Sequence, residues 1–262
     1  MRVAIAGASG RMGRAVLRAA ATRADVTVTG GWVRARGAGD DLGVLAGGTP
    51  TGVAASADLA TAFDGAEIVV DFTLPGALEA VLEACRRRGL PLVTGTTGLA
   101  AGEQAAIVAT ARDIPVVQAP NMSIGVTVLL DLAERAAAAL GPEFDAEIID
   151  VHHRHKLDAP SGTALAIGAA VAGVRGDNAP VEAGRGPQSG RRAPGAIGYS
   201  SVRAGDVVGE HTLMLAGPGE RIELTHRAAD RAAFAGGALR AAQWLRGRPP
   251  GLYGMKHVLG LA

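Results

Sequence analysis

Through the first half of the chain, short β-branched and apolar runs alternate with Ala-rich stretches of helix-forming composition, the pattern of βαβ units around a parallel sheet. The apolar runs predict strands over 3–6, 26–30, 67–72, 91–94 and 115–118. Between them, helices are predicted over 11–21, 77–88 and 103–112. Residues 34–51 are Gly-rich and are expected to form a mobile loop.

After Asn121 the pattern changes. A long helix over 124–140 leads into a strand ending at His152, then a loop and a helix over 163–171. The segment 177–194, dense in Gly, Pro and Arg, predicts a long loop. Three strand-like runs follow over 196–203, 210–215 and 221–226, with Gly-Asp and Gly-Pro-Gly turns that let neighbours pair antiparallel. A final helix over 231–245 returns to the first domain. The fold class is therefore α/β, with a parallel-sheet domain from 1–123 and 233–262 and an α+β domain with a mixed sheet over 124–232.

Composition narrows the function classes. Hydrophobic residues make up 48% and charged residues 19%, which fits a packed globular chain rather than a disordered one. Aromatics are only 3%, so Val, Ile, Leu and Ala must fill the core. Twenty-six basic residues against twenty-five acidic ones give a net charge of +1 without a long basic run, which argues against a nucleic-acid partner. No stretch of eighteen uncharged apolar residues suggests a membrane span, and Arg2 to Ala6 lacks the regions of a signal peptide, so a cytoplasmic location is expected. Cys85 is the single cysteine, which excludes an internal disulfide and argues against a cysteine-built zinc site. It shares helical spacing with Leu78, Val81 and Leu82 and is expected to face the core.

Chemistry first appears at the N-terminus. The first strand runs into Gly7-Ala8-Ser9-Gly10-Arg11-Met12-Gly13 and then a helix. Glycines let a backbone approach a pyrophosphate, and N–H groups at a helix start favour an anion. The spacing is GxxGxxG rather than GxGxxG, and a plain strand-to-helix turn is the alternative. A carboxylate that would accept from a ribose 2′-hydroxyl is missing at the end of the second strand, where Arg34 and Arg36 stand instead. Arginine suits a 2′-phosphate, which points to NADPH, and solvated loop charge is the competing explanation. Two further strand ends, Gly95-Thr96-Thr97-Gly98 and Ala119-Pro120-Asn121-Met122, would face the same crevice and touch the nicotinamide half, although the first could equally be a helix-capping turn.

The densest chemistry is His152-His153-Arg154-His155-Lys156-Leu157-Asp158-Ala159-Pro160-Ser161-Gly162-Thr163, which holds three of the six histidines. A metal site is a rival reading, but Arg154 and Lys156 would repel a cation, and no metal is expected. Lys156 and one or two histidines supply positive charge and transferable protons, while the 161–163 backbone at a helix start makes a carboxylate cradle. Together they specify a small anionic substrate. With a nicotinamide cofactor, the reaction class is hydride transfer to an electron-poor carbon with a histidine as acid. His211, His226 and His257 are isolated in sequence and are expected to be structural.

These residues resemble the 4-hydroxy-tetrahydrodipicolinate reductase family, formerly dihydrodipicolinate reductase. The resemblance rests on GASGRMGR at 7–14, DFTLP at 71–75, GTTG at 95–98, APNMSIGV at 119–126, HHRHKLDAPSGTA at 152–164 and RAGDVVGEHT at 203–212. It implies a Rossmann-type nucleotide domain that binds NADPH or NADH, a substrate and tetramerisation domain, and a homotetramer that closes on its ligands. It also implies His152 as proton donor or acceptor, Lys156 as a second proton donor, His153 in substrate binding, and Gly162 and Thr163 on a substrate carboxylate. The implied reaction reduces (2S,4S)-4-hydroxy-2,3,4,5-tetrahydrodipicolinate, with loss of water, to tetrahydrodipicolinate, a step of lysine and diaminopimelate biosynthesis. The chain departs from the family at the end of the second strand. Many members carry glutamate where this chain has Arg34, and members differ in which cofactor they favour.

Overall fold

The computed structural model describes residues 1–176 and 179–262, and divides them into two compact units. Unit 1 comprises Met1–Ile124 and Arg231–Ala262, and unit 2 comprises Gly125–Asp230.

Unit 1 is a parallel sheet built from β1 (Arg2–Ala6), β2 (Thr27–Trp32), β3 (Ile68–Asp71), β4 (Leu92–Thr94), β5 (Pro115–Gln118) and a late strand, β11 (Gly251–Tyr253). The strand order is β11-β5-β4-β3-β1-β2. Ile68, Val69, Val70 and Asp71 of β3 are all buried, as expected of a strand covered on both faces. Helices α1 (Arg11–Ala21), α2 (Leu42–Leu45), α3 (Leu59–Ala62), α4 (Pro75–Arg88) and α5 (Ala101–Thr110) fall between the strands. Pro75 opens α4, where a missing N–H costs nothing, and Gly89 closes it in the left-handed conformation. Cys85 lies on the buried side of α4, and burial pushes its thiol well above the ordinary range. The chain order reverses between β1 and β3, the kind of switch point where open α/β sheets bind ligands at their carboxyl ends.

Helix α8 (Ala232–Leu245) and the short α9 (Met255–Leu259) complete unit 1. α8 packs on α1 and on β3, β4 and β5. The approach is close: a Cβ on Gly237 would lie 1.7 Å from the Met122 carbonyl oxygen. β11, α3 and α9 are too short to stand out as periodic patterns. The Gly-rich segment 34–51 is more ordered than a mobile loop. The Asp41 carboxylate accepts from the N–H groups of Gly43, Val44, Thr51 and Gly52 at 2.7–3.2 Å, and Leu42 beneath it is buried.

Unit 2 carries α6 (Ile124–Leu140), β6 (Asp145–His152), α7 (Gly162–Arg175), β7 (Val181–Ala183), β8 (Ile197–Arg203), β9 (Gly209–Gly217) and β10 (Glu220–Ala228), with α6 starting at the unit boundary. The sheet order is β10-β9-β6-β8-β7. β9 and β10 pair antiparallel, as their turn predicts, but β8 does not pair with β9. It pairs parallel with β6, because α7 carries the chain back to start β8 in the same direction. The 204–208 turn then crosses the end of β6, tied there by Ala204 N–H to the His152 carbonyl at 2.9 Å and Arg154 N–H to the Gly205 carbonyl at 3.1 Å. Part of the expected 177–194 loop is β7, paired with β8, and residues 177 and 178 lie outside the described residues.

One face of this sheet is the core. Leu129, Ala133 and Ala137 of α6 and Ile167 and Val171 of α7 pack with Ala146 and Ile148 of β6, Ile197 and Tyr199 of β8, and Leu213 and Leu215 of β9. Side chains on a strand alternate between faces, so the residues two further along point the same way. On β6 these are Asp150 and His152, and on β8 they are Ser201 and Arg203. On β9, His211 precedes Leu213 by two. The apolar core face thus becomes polar at one end of the sheet.

Candidate active site

Unit 1 carries a cleft of about 450 Å³ at the carboxyl ends of β1, β2 and β3. Of the residues singled out in the sequence, Gly7, Ser9, Gly10, Arg11, Met12, Arg34, Gly95 and Thr97 line it, joined by Trp32, Phe72, Thr73 and Leu74. Ala8 and Thr96 lie behind this lining, both buried. Ala119 and Met122 are also buried, Asn121 accepts from the Ser123 N–H at 2.9 Å, and the 119–122 turn, Pro120 included, is not on the lining among the described residues.

The glycine turn fits a phosphate for steric reasons. Gly7 adopts φ +79°, and a Cβ on it would lie 2.7 Å from the Phe72 carbonyl oxygen. A Cβ on Gly13 would lie 2.2 Å from the Gly7 carbonyl oxygen, so the turn tightens only because no side chains intervene. α1 opens at Gly10 without a side-chain cap, and its positive end faces the turn. The Trp32 carbonyl accepts from both Gly7 and Ala8 N–H, at 3.0 and 3.1 Å, which pins the turn to the end of β2, two residues before Arg34. The loops after β3 and β4 are held from below by Asp71. Its fully buried carboxylate accepts from the hydroxyls of Thr94 and Thr96, at 2.7 and 2.8 Å, and from the Thr73 N–H at 3.0 Å. The DFT run marks this carboxylate only as a strand end, so its role is invisible in sequence.

The histidine block begins at the polar end of the unit 2 sheet. His152 is buried, and its Nδ1 lies 2.7 Å from Asp150 Oδ1. Asp150 is held on every side. Arg203 donates to Oδ1 at 2.8 Å, and the Ser161 N–H and Ser201 hydroxyl donate to Oδ2 at 2.9 and 2.8 Å. Burial alone would raise the Asp150 carboxyl, but these donors outweigh it and bring it down to about 2. His152 is lowered, first by burial and further by the Lys156 and Arg203 charges, against the opposing pull of Asp150. His211, isolated in sequence, is not isolated in space. Its ring meets His152 edge to face at 5.1 Å and its Nε2 lies 3.0 Å from the Ser161 hydroxyl. Burial, with the neighbouring charge of His152, drives it down to about 4, so it is neutral at neutral pH.

Lys156 is less buried and pairs with Asp158 at 2.9 Å, which holds the Asp158 carboxyl below its ordinary range. The His153 ring lies 6.3 Å from that of His155. Ser161 caps α7 by accepting from the Ala164 N–H at 3.2 Å, and Gly162 and Thr163 form the first turn of this 14-residue helix. A Cβ on Gly162 would meet open space, so an anion can approach the positive helix end there. Ligand atoms of Asp150, His152 and His211 fall within 4.8 Å of one another, a spacing a metal ion could use. The Arg203 guanidinium already answers the Asp150 charge, however, and would repel a cation. Sequence reasoning missed Asp150, Ser201, Arg203 and His211. The alternation in Ile148-Ile149-Asp150-Val151-His152 signals that Asp150 shares a face with His152, whereas the other three require the strand register.

Residues 1–122 match the family model of the dihydrodipicolinate reductase N-terminus, and residues 125–259 match that of its C-terminus. The 4-hydroxy-tetrahydrodipicolinate reductases of Thiobacillus denitrificans and Alkalilimnicola ehrlichii are each 51% identical to the chain, the first over 100% of it and 99% of the relative, the second over 99% of both. Among solved structures, dipicolinate-bound dihydrodipicolinate reductase from Paenisporosarcina sp. TG-14 is similar with a TM-score of 0.79 and 25% identity over 98% of each chain. No helix among the described residues is long and apolar enough to cross a membrane.

Proposed function

Because the chain belongs to the dihydrodipicolinate reductase family and catalyses the 4-hydroxy-tetrahydrodipicolinate reductase reaction, an oxidoreductase step, we propose that His152 supplies the proton for that reduction and Lys156 acts as anchor and second donor. A pyridine nucleotide, when bound, supplies the hydride. Hydride addition leaves electron density that a proton must meet, and a positioned histidine delivers it from its imidazolium form and is left as the neutral ring. The observation that carries this reading is the His152 ring, buried at the end of β6 with Nδ1 on Asp150, so that Nε2 is the nitrogen left to act.

The substrate is a small ring with two carboxylates, as is the dipicolinate bound to the Paenisporosarcina enzyme. Lys156, His153 and the first turn of α7 at Gly162 and Thr163 supply the positive charge and donors that such an anion needs. Lys156 exchanges Asp158 for a substrate carboxylate. Unit 2 is then the substrate and tetramerisation domain.

Unit 1 is the nucleotide domain, with the pyrophosphate on the turn of Gly7, Ala8, Ser9, Gly10, Arg11 and Met12 and the nicotinamide toward Gly95, Thr96 and Thr97, of which all but the buried Ala8 and Thr96 line the cleft. Residues 119–122, which lie off that lining, complete the nicotinamide side of this reading. Arg34, on the same cleft lining as Arg11, favours the 2′-phosphate of NADPH. The enzyme works as a cytoplasmic homotetramer. The test is to supply purified protein with the product of aldol condensation between pyruvate and aspartate semialdehyde and to follow NADPH and NADH oxidation. Oxidation that depends on this product, faster with NADPH and slowed by about 10²- to 10⁴-fold in His152→Gln, is expected. Full activity in that variant moves the proton to another group.

A further inference from the structure

The RAGDVVGEHT run at 203–212 contributes no residue to the roles proposed so far, yet it folds onto His152 from both flanking strands. The geometry points to Asp150 as the positioning residue of the reaction: clamped by Arg203, Ser161 and Ser201, it holds one His152 proton on Nδ1, so that Nε2 is the nitrogen that takes up the second proton and gives it to the substrate. The inference rests on the reading of His152 as the acid.

Strand register places these groups. On β6 and β8, Asp150 lies opposite Ser201 and His152 opposite Arg203. On β9, His211 lies opposite Asp150. All point to the same face, so one carboxylate meets donors from three directions. An ionised carboxylate only accepts hydrogen bonds. With Asp150 kept ionised by Arg203 at 2.8 Å and by two further donors, the Nδ1 atom 2.7 Å away must carry the hydrogen. The ring cannot turn freely, because His211 stands edge-on to it at 5.1 Å and is itself held by the Ser161 hydroxyl. Gly209, which precedes His211 by two on the same strand, leaves space at the other nitrogen: a Cβ there would lie 3.0 Å from Nε2. Arg203 also donates to the Asp158 carbonyl at 2.6 Å, so one guanidinium joins the carboxylate behind His152 to the loop that carries Lys156.

The consequence is a tautomer opposite to the one that free histidine favours. It also sets what Asp150→Asn does. The Ser161 N–H can only donate and holds the amide oxygen at the Oδ2 position, where the second Arg203 nitrogen also reaches at 3.4 Å, which turns the NH₂ group to the Oδ1 position beside His152. Nδ1 then becomes an acceptor and the proton moves to Nε2.

The experiment is ¹⁵N NMR of imidazole-labelled protein at pH 7–8, paired with steady-state kinetics. The wild-type spectrum is expected to show neutral His152 protonated on Nδ1. In Asp150→Asn the Nε2-protonated form is expected, with kcat down about 10²- to 10⁴-fold, KM changed less than about threefold, and the falling limb of kcat against pH moved to lower pH. An Nε2 proton on wild-type His152 overturns the proposal without any variant, so it stays decidable even if Asp150→Asn does not fold. An unchanged tautomer in a folded Asp150→Asn protein overturns it as well, whatever happens to kcat. A switched tautomer with wild-type kcat instead removes His152 from the proton transfer and, with it, any catalytic role for Asp150.

Discussion

Nδ1 of His152 lies 2.7 Å from a carboxylate oxygen of Asp150, two residues earlier on the same face of one strand. The pairing fixes the orientation of a ring whose protonated form burial disfavours. A proton donor within hydrogen-bond reach of the reacting atom contributes about 10²- to 10⁴-fold in rate. His152→Gln is therefore expected to depress kcat by that factor with little change in KM and a normal nucleotide Kd, measured by steady-state kinetics and by titration of nucleotide fluorescence. Near-wild-type kcat would shift attention to His153.

Lys156 differs in kind, because its ammonium already holds a carboxylate, that of Asp158, at 2.9 Å. Lys156→Ala removes both the proposed anchor for the dianionic substrate and the proposed second proton source. It should raise KM and lower kcat together, each by about tenfold or more, with nucleotide binding intact. A change confined to KM would reduce Lys156 to an anchor.

In unit 1 the proposed nucleotide contact is backbone to phosphate. A Cβ on Gly10 would lie 3.2 Å from the Gly7 carbonyl oxygen, tight but tolerable, so Gly10→Val should fold. Its isopropyl group would still fill the approach to the start of α1. Isothermal titration should show Kd rising by about tenfold or more for NADPH and NADH alike, a loss of roughly 1.4 kcal/mol or greater. Unchanged affinity would take the loop out of the site.

Arg34 lines the same cleft, two residues past the carbonyl that pins the glycine turn, whereas Arg36 is not on the lining. Arg34→Glu exchanges the proposed partner of a 2′-phosphate for a group that repels it. The ratio of kcat/KM for NADPH over NADH should fall by about tenfold or more. An unaltered ratio would leave Arg34 as solvated loop charge.

The parts legible in the sequence were those set by local pattern. The buried strands of unit 1 show as apolar runs, α4 shows its start at Pro75, and the histidine block stands out by density alone. Even Asp150 was accessible, since period-two alternation puts it on the face of His152. What local pattern could not supply was pairing between distant strands. β8 and β9 follow one another in sequence but flank β6 in space, and that register brings Arg203 and His211 to Asp150. Ser161 and His211 are 50 residues apart along the chain and 3.0 Å apart in space. A histidine that looked structural because it stood alone is thus packed against the proposed acid. The Gly-rich 34–51 segment misled for a related reason. Its order comes from the single carboxylate of Asp41 gathering four backbone N–H groups, two of them about ten residues on.

The buried His211 makes acid stability a test of the whole cluster. Burial, and next the charge of His152, bring its folded-state value down to about 4, against about 6.5 in an unfolded chain. Between those two values the unfolded state binds more protons than the folded state, so stability rises with pH and is lost on acidification from about 6.5 toward 4. His152 and His226 are lowered too, chiefly by burial, and act in the same direction. Asp150 does not contribute in this window. Its lowered carboxyl stabilises the fold above the unfolded value of about 3.9, and that part is lost only as pH falls through about 2. Thermal melting at pH 7.0, 5.5 and 4.5 should therefore show Tm falling with pH. In His211→Gln, which keeps an amide near the Ser161 hydroxyl but cannot take up a proton, the fall should be smaller by roughly 5 °C. Parallel Tm curves for the two proteins would mean that His211 accepts a proton in the folded state, and the packing of the His152 ring against a neutral neighbour would have to be abandoned.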